Sequence, residues 1–299
     1  MTSRAAASAP IPGHDPGVDP VVYAPITIDH GPPSKSLSSA KQMVIRIINA
    51  VIMFITGIYV GVDWSGYFYG FTSSFPIGAG YARTCLCALL VLIIGKNHLS
   101  RMDQRLIAVA FILTLIADYF LILVDQMLIG TLIFIGVHVT FIVRHAQGWR
   151  ASLASHDRTR TIRWLIITAV VAYSGAIILI ASVARILERT GRLPLDAVYL
   201  FFLATSMWMA WGVLIRRFYP RRNAWFIAVG MTSFYCCDVT VGLAAAMHGT
   251  RAGAILDNIV GFFYSPALVL IAFSGFRWPN SLPPRSSGSP AVALSNAGA

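Results

Sequence analysis

Charge is what this sequence has least of. Only 12% of its 299 residues are Asp, Glu, Lys or Arg, and 57% are apolar. A soluble domain carries about 25% charged residues. That shortfall excludes a water-soluble globular fold and makes the chain a polytopic membrane protein. Cysteine is scarce as well: Cys85, Cys87, Cys236 and Cys237 all lie in apolar segments. None has metal-ligand spacing, and the adjacent pair is ill suited to a structural bridge, so all four read as buried hydrophobes. The G-x-S-x-G elbow, the H-E-x-x-H helix and the phosphate-binding P-loop are all missing. No cofactor and no metal is expected. Near the N-terminus no short apolar run precedes a small-residue cleavage site, so no removable signal peptide is expected. The net charge of +11 does not point to nucleic acid, because the arginines cluster between apolar runs as membrane topology requires.

What is present is length of apolar run. Eight segments of roughly 17–24 residues, each enough for about 30 Å of hydrocarbon, fall near 43–62, 78–95, 105–124, 127–145, 163–183, 194–215, 224–247 and 255–274. The second is the weakest, since Arg83 sits near its start. The expected fold class is all-α, a bundle of about eight transmembrane helices. Residues 1–41 and 278–299, rich in Pro, Ser, Ala and Gly, read as disordered tails around a helical domain at 42–277. The aromatic, glycine-rich stretch 63–81 reads as an interfacial or re-entrant connector with Trp64, Tyr67 and Tyr69 at headgroup level.

Lys and Arg set the expected orientation. With the N-terminus inside, eighteen of the 23 basic residues fall on the cytoplasmic side. Arg83, Arg185, Arg189, Arg192 and Arg251 fall outside. That asymmetry predicts eight spans with both termini cytoplasmic, in a bacterial inner membrane or a eukaryotic endomembrane. A parallel four-plus-four repeat fits as well: Ala-Val at 108–109 precedes Asp118 as Ala-Val at 228–229 precedes Asp238.

Three polar residues lie at membrane depth. Asp118 and Asp238 each sit roughly 20 Å from the cytoplasmic edge, and His138 roughly 16 Å from the outer one. An intramembrane carboxylate is costly, so such a residue faces a cavity or a partner. Alone, either Asp can be a structural hydrogen-bond donor; two at one depth point to chemistry. His138 is open to a helix-packing role or to proton transfer. Arg83 either neutralises an acid, binds a phosphate or snorkels to the interface. Tyr173, Tyr235 and Tyr264 are weaker candidates, and Asp257 with Asn258 reads as a helix cap.

The run "AFILTLIADYFLILVDQMLIGTLIFIGVHVTFIV" (110–143) resembles the core of the YhhN-like lysoplasmalogenase family. Asp118 matches the family's first acid, and Gly130, Phe134 and His138 match its Gly, Phe and His spacing. "GMTSFYCCDVTVGLA" (230–244) resembles the second acidic span, with Asp238 as the acid, and "FFYSPALVLIAFSG" the closing span, with Tyr264 in its tyrosine position. The sequence departs from the pattern at Ala117, Cys237, Met127, Phe141 and Ala267. The resemblance implies a membrane hydrolase acting on the vinyl ether bond of a lysoplasmalogen within the bilayer, releasing a fatty aldehyde and a glycerophospho-base. Asp118, Asp238 and His138 would be catalytic, and Arg83 and Tyr264 would bind substrate. Asp238 is favoured as the acid because Phe234, Tyr235, Cys236 and Cys237 suggest an apolar pocket. A proton-coupled secondary transporter and a non-catalytic lipid-binding bundle are the alternatives.

Overall fold

The computed structural model describes residues 38–70, 75–149, 158–189, 191–247 and 249–278. They form eight α-helices: α1 (Ser39–Tyr69), α2 (Phe75–Ile94), α3 (Arg101–Asp118), α4 (Met127–His145), α5 (Arg158–Arg189), α6 (Leu193–Arg216), α7 (Arg221–Ala246) and α8 (Arg251–Ser274). Seven are long and apolar enough to cross a membrane; the apolar part of α2, Gly78–Ile94, is shorter. The chain is a multi-pass helical membrane protein. The large apolar residues left exposed, such as Ile166, Val170, Ile177 and Ile178 on α5, form the lipid-facing surface that such a bundle requires.

Seven helices close a ring. Contacts run from α1 to α2, α3, α4, α6, α7 and α8, and from α8 back to α1. Helix α5 packs outside the ring on α6 and α7. Residues 97–99 pair with 275–277 at one end: Leu99 N–H donates to Gly275 O, and Arg277 N–H to Asn97 O. This short antiparallel contact fixes the exit of α8 against the α2–α3 connector. The bundle also extends slightly beyond 42–277. Helix α1 begins at Ser39, and Trp278 packs edge-on against Phe276 with the Arg222 guanidinium over its ring. The remaining tail residues, 1–37 and 279–299, lie outside the described residues.

The expected connector at 63–81 is mostly helix. Helix α1 continues through Trp64 and Tyr67 and stops at Gly70, whose φ of 67° is the left-handed cap that glycine adopts without strain. Trp64, Tyr67 and Phe68 pack against one another, and the Arg251 Nε–H donates to Tyr67 Oη at 2.7 Å. That bond joins the end of α1 to the start of α8. The cap expected at Asp257 lies elsewhere: Thr250 is the N-cap of α8, accepting from Gly253 N–H, and Asp257 is exposed one turn and more inside the helix. Among the cysteines only Cys87 and Cys237 are buried; Cys85 is exposed and Cys236 half-buried.

Candidate active site

The two acids occupy equivalent places. Helix α3 starts at Arg101 and α7 at Arg221, so Asp118 and Asp238 are each the eighteenth residue of their helix. Beyond Asp118 the backbone widens into a π-turn, Tyr119–Leu123, a feature frequent at functional sites. Gly130 on α4 faces this turn: a Cβ there would collide with the Leu121 side chain and lie 3.3 Å from Ala117 O. Glycine therefore lets α4 approach the segment that carries Asp118. Phe134 and His138 follow at four-residue steps on the same face of α4.

Asp118 is almost fully buried, 3% exposed. Its Oδ2 accepts from Thr84 Oγ1 of α2 at 2.6 Å and from Tyr264 Oη of α8 at 2.5 Å. Arg83, beside Thr84, is buried too, which excludes snorkelling. Its Nη1 donates to Ser265 Oγ at 2.7 Å, and its guanidinium lies 5.0 Å from the Tyr59 ring centroid and 5.3 Å from that of Tyr264. The Arg83 Nε–H has no hydrogen-bond partner among the described residues. Arg83 and Asp118 are near enough for their charges to interact.

Asp238 has a different setting. Its side chain is 14% exposed, and its Oδ2 lies 3.9 Å from His138 Nε2. Tyr199 Oη of α6 donates to the same oxygen at 2.5 Å. Of the four flanking residues expected to enclose it, only Phe234 and Cys237 are buried; the Tyr235 hydroxyl turns away and donates to Ala172 O of α5. His138 is fully buried, with Nδ1 2.9 Å from Ser206 Oγ.

One ring joins the two pockets. Phe234 stands edge-on to Tyr264, to His138 and to Phe134, with centroids 5.8, 5.5 and 5.9 Å apart. Tyr264 holds Asp118, and His138 faces Asp238, so both acids border one aromatic wall and their charges act on each other. An open groove of about 260 Å³ between α5 and α6, lined by Trp149, Leu165 and Trp208 among others, contains none of these residues.

These five candidates, Asp118, Asp238, His138, Arg83 and Tyr264, are the sequence's own, and they converge. The YhhN family model matches residues 80–275. The chain belongs to the YhhN family. No curated protein matches it, and neither does any solved structure. The matched region spans α2 to the end of α8, and so contains every side chain of the two acid pockets except Tyr59. Thr84, Tyr199 and Ser206 were not foreseen in this YhhN chain. Tyr199 and Ser206 lie seven residues apart, two turns on one face of α6, but a hydroxyl in an apolar run is common enough to pass unnoticed. Tyr173 has the bland role expected, with its hydroxyl 2.7 Å from Thr205 Oγ1.

A second polar cluster lies at the end of the bundle where α3 begins. Arg144 of α4 donates from Nε to Asp103 Oδ1 at 2.7 Å, from Nη2 to Asp103 Oδ2 at 3.2 Å, and from Nη1 to Ser274 Oγ at 2.9 Å. Tyr219 Oη donates to Asp103 Oδ1 at 2.8 Å, and Asn223 Nδ2 donates to Ser274 O and Phe276 O. Arg216 donates to Gly212 O, His145 O and Gln147 O. Arg144, Arg216 and Arg83 are all buried. Arg144 and Arg216 tie helices together internally.

Proposed function

We propose that this YhhN protein hydrolyses the vinyl ether bond of a lysoplasmalogen, with the two intramembrane acids as its catalytic pair. The observation that carries the reading is the unequal pairing of two carboxylates around Phe234. Asp118 accepts two hydroxyls and lies within electrostatic reach of the Arg83 guanidinium, which suits a carboxylate that stays charged. Asp238 accepts one hydroxyl and faces an imidazole, which suits a proton donor.

In the proposed cycle Asp238 protonates the β-carbon of the vinyl ether. The resulting oxocarbenium ion forms beside charged Asp118, which stabilises it. Water adds to the cationic carbon and its proton goes back to Asp238, leaving a hemiacetal and the restored acid. The hemiacetal proton passes to the ether oxygen as the carbon–oxygen bond breaks. One water is consumed, and a fatty aldehyde and a glycerophospho-base leave. Arg83, with its free Nε–H, is the proposed contact for the phosphate, because guanidinium groups bind phosphate oxygens strongly. The single chain of the substrate lies between helices.

The test is aldehyde release by the purified full-length protein from a lysoplasmalogen, with the diacyl analogue as control. Release from the vinyl ether substrate alone is the expected result; no release from it sinks the hydrolase. A proton-coupled carrier also fits paired acids at one depth. It would show as proton-dependent lysolipid flux into sealed vesicles without aldehyde. The proposed orientation has both termini and the loop at 146–162 in the cytoplasm. Labelling of Ser155→Cys from outside intact cells, above the native cysteine background, would reverse it.

A further inference from the structure

His138 meets Ser206 of α6, the helix beside α4 in the ring. Ser206 Oγ donates to Leu203 O at 2.8 Å. A hydroxyl has one proton to give, so at the 2.9 Å contact with His138 Nδ1 the serine oxygen is the acceptor. Nδ1 therefore carries the hydrogen. A neutral imidazole has only one, so Nε2 is left with a bare lone pair. That lone pair has no hydrogen-bond partner among the described residues and lies 3.9 Å from Asp238 Oδ2. Tyr199 cannot donate to it, since its hydroxyl is used on Asp238. The ring is also held in place: Tyr199 and Phe234 both stand edge-on to it, each at 5.5 Å.

We infer that Ser206 is a positioning residue that holds His138 as its Nδ1–H tautomer, so that Nε2 is the proton acceptor of this site. The distance of 3.9 Å is too long for a direct hydrogen bond; Nε2 is closed off by its neighbours, so the water that bonds both atoms enters when substrate parts the wall. The catalytic consequence rests on the hydrolase reading; the tautomer does not. In that cycle the water held on Nε2 forms its bond to the oxocarbenium carbon and gives its proton to Nε2. The imidazolium so formed keeps its Nδ1–H on Ser206. It then returns the Nε2 proton to Asp238, which restores the acid and the neutral ring. The opposite tautomer has no lone pair on Nε2 and cannot take the first proton.

The experiment is nitrogen-15 NMR of the full chain in detergent micelles, with ring-labelled histidine and the His138 signals identified by their loss in His138→Asn. The expected spectrum has a protonated Nδ1 and a bare Nε2 at neutral pH. Ser206→Ala should move proton density to Nε2 and lower kcat by about tenfold with little change in KM, as loss of a histidine's orienting partner does. Ser206→Thr, which keeps the hydroxyl, should restore both. A wild-type His138 with hydrogen on Nε2, or on both nitrogens, overturns the assignment, and so does a Ser206→Ala protein whose tautomer is unchanged. Should Ser206→Ala fail to fold, the wild-type spectrum alone decides. Absence of aldehyde release from wild type would remove the hydrolase reading while the spectrum still judged the tautomer.

Discussion

Two buried polar clusters share α3 and α4, and they are built on opposite terms. Around Asp103 and Arg144 all three guanidinium nitrogens are bonded, and both carboxylate oxygens accept. Fifteen residues further along α3, about 22 Å at 1.5 Å per residue, the second cluster is left incomplete. Among the described residues Arg83 Nε and His138 Nε2 have no hydrogen-bond partner, and the two acids are not matched there one for one by cations. A saturated ion pair has nothing left to offer a ligand. An unsaturated set is costly to bury and is kept where something else must bind. Burial and charge do not separate the two clusters; the pairing of the ionised groups themselves does, complete for Asp103 with Arg144 and incomplete for Arg83.

The largest effect expected falls on the saturated cluster. Arg144→Ala leaves Asp103 buried without its cation and should cost about 3–5 kcal/mol of stability, measured by unfolding in detergent. A loss near zero would show that the pair is solvated, and the contrast would vanish. Next comes the unsaturated cluster, where Asp118→Asn and Asp238→Asn should each lower aldehyde release by roughly 10²-fold or more, with the unfolding midpoint nearly unchanged. Near-normal release from an otherwise active Asp118→Asn protein would move Asp118 into the structural class.

Double replacement sharpens the comparison further. Asp103→Leu combined with Arg144→Met should recover most of the stability lost in Arg144→Ala, because apolar residues can replace a buried ion pair at little cost. Asp118→Asn combined with Asp238→Asn should recover no activity, because no packing substitutes for a proton donor. The smallest effect is expected at Asp257, exposed on α8: Asp257→Asn should alter stability by no more than about 0.5 kcal/mol and leave aldehyde release unchanged.

The acid pair and His138 were readable because an ionisable group in an apolar run has few harmless explanations. Asp103 and Arg144 were not, although they are buried more completely than either acid of the pair. They sit at helix ends among other charges, where solvated residues are the norm, and only Tyr219 and Ser274 folding over them makes them internal. The hydroxyl partners were invisible for a different reason. Thr84, Tyr199 and Ser206 cost little in a membrane helix, and their value lies in which helix they face. The order of helices around the ring, and the exclusion of α5 from it, depends on contacts that no single span encodes. The stretch at 63–81 read as a connector because it is aromatic and glycine-rich; only Gly70 ends α1.

Three contacts of the site join helices α1–α4 to helices α5–α8. Asp118 comes from the first half and Tyr264 from the second; His138 from the first, and Ser206 and Asp238 from the second. The ring is sealed between these halves along α4 with α6 and along α8 with α1 and α2. The site is therefore a seam and not a pocket within either half. Neither half alone holds two acids, and parting the α4–α6 contact would draw His138 from Ser206 and Asp238 before any helix melted. Under the proposed reading, chemistry at this seam depends on the fit between two pieces of one chain, and a loosened fit would be felt there first.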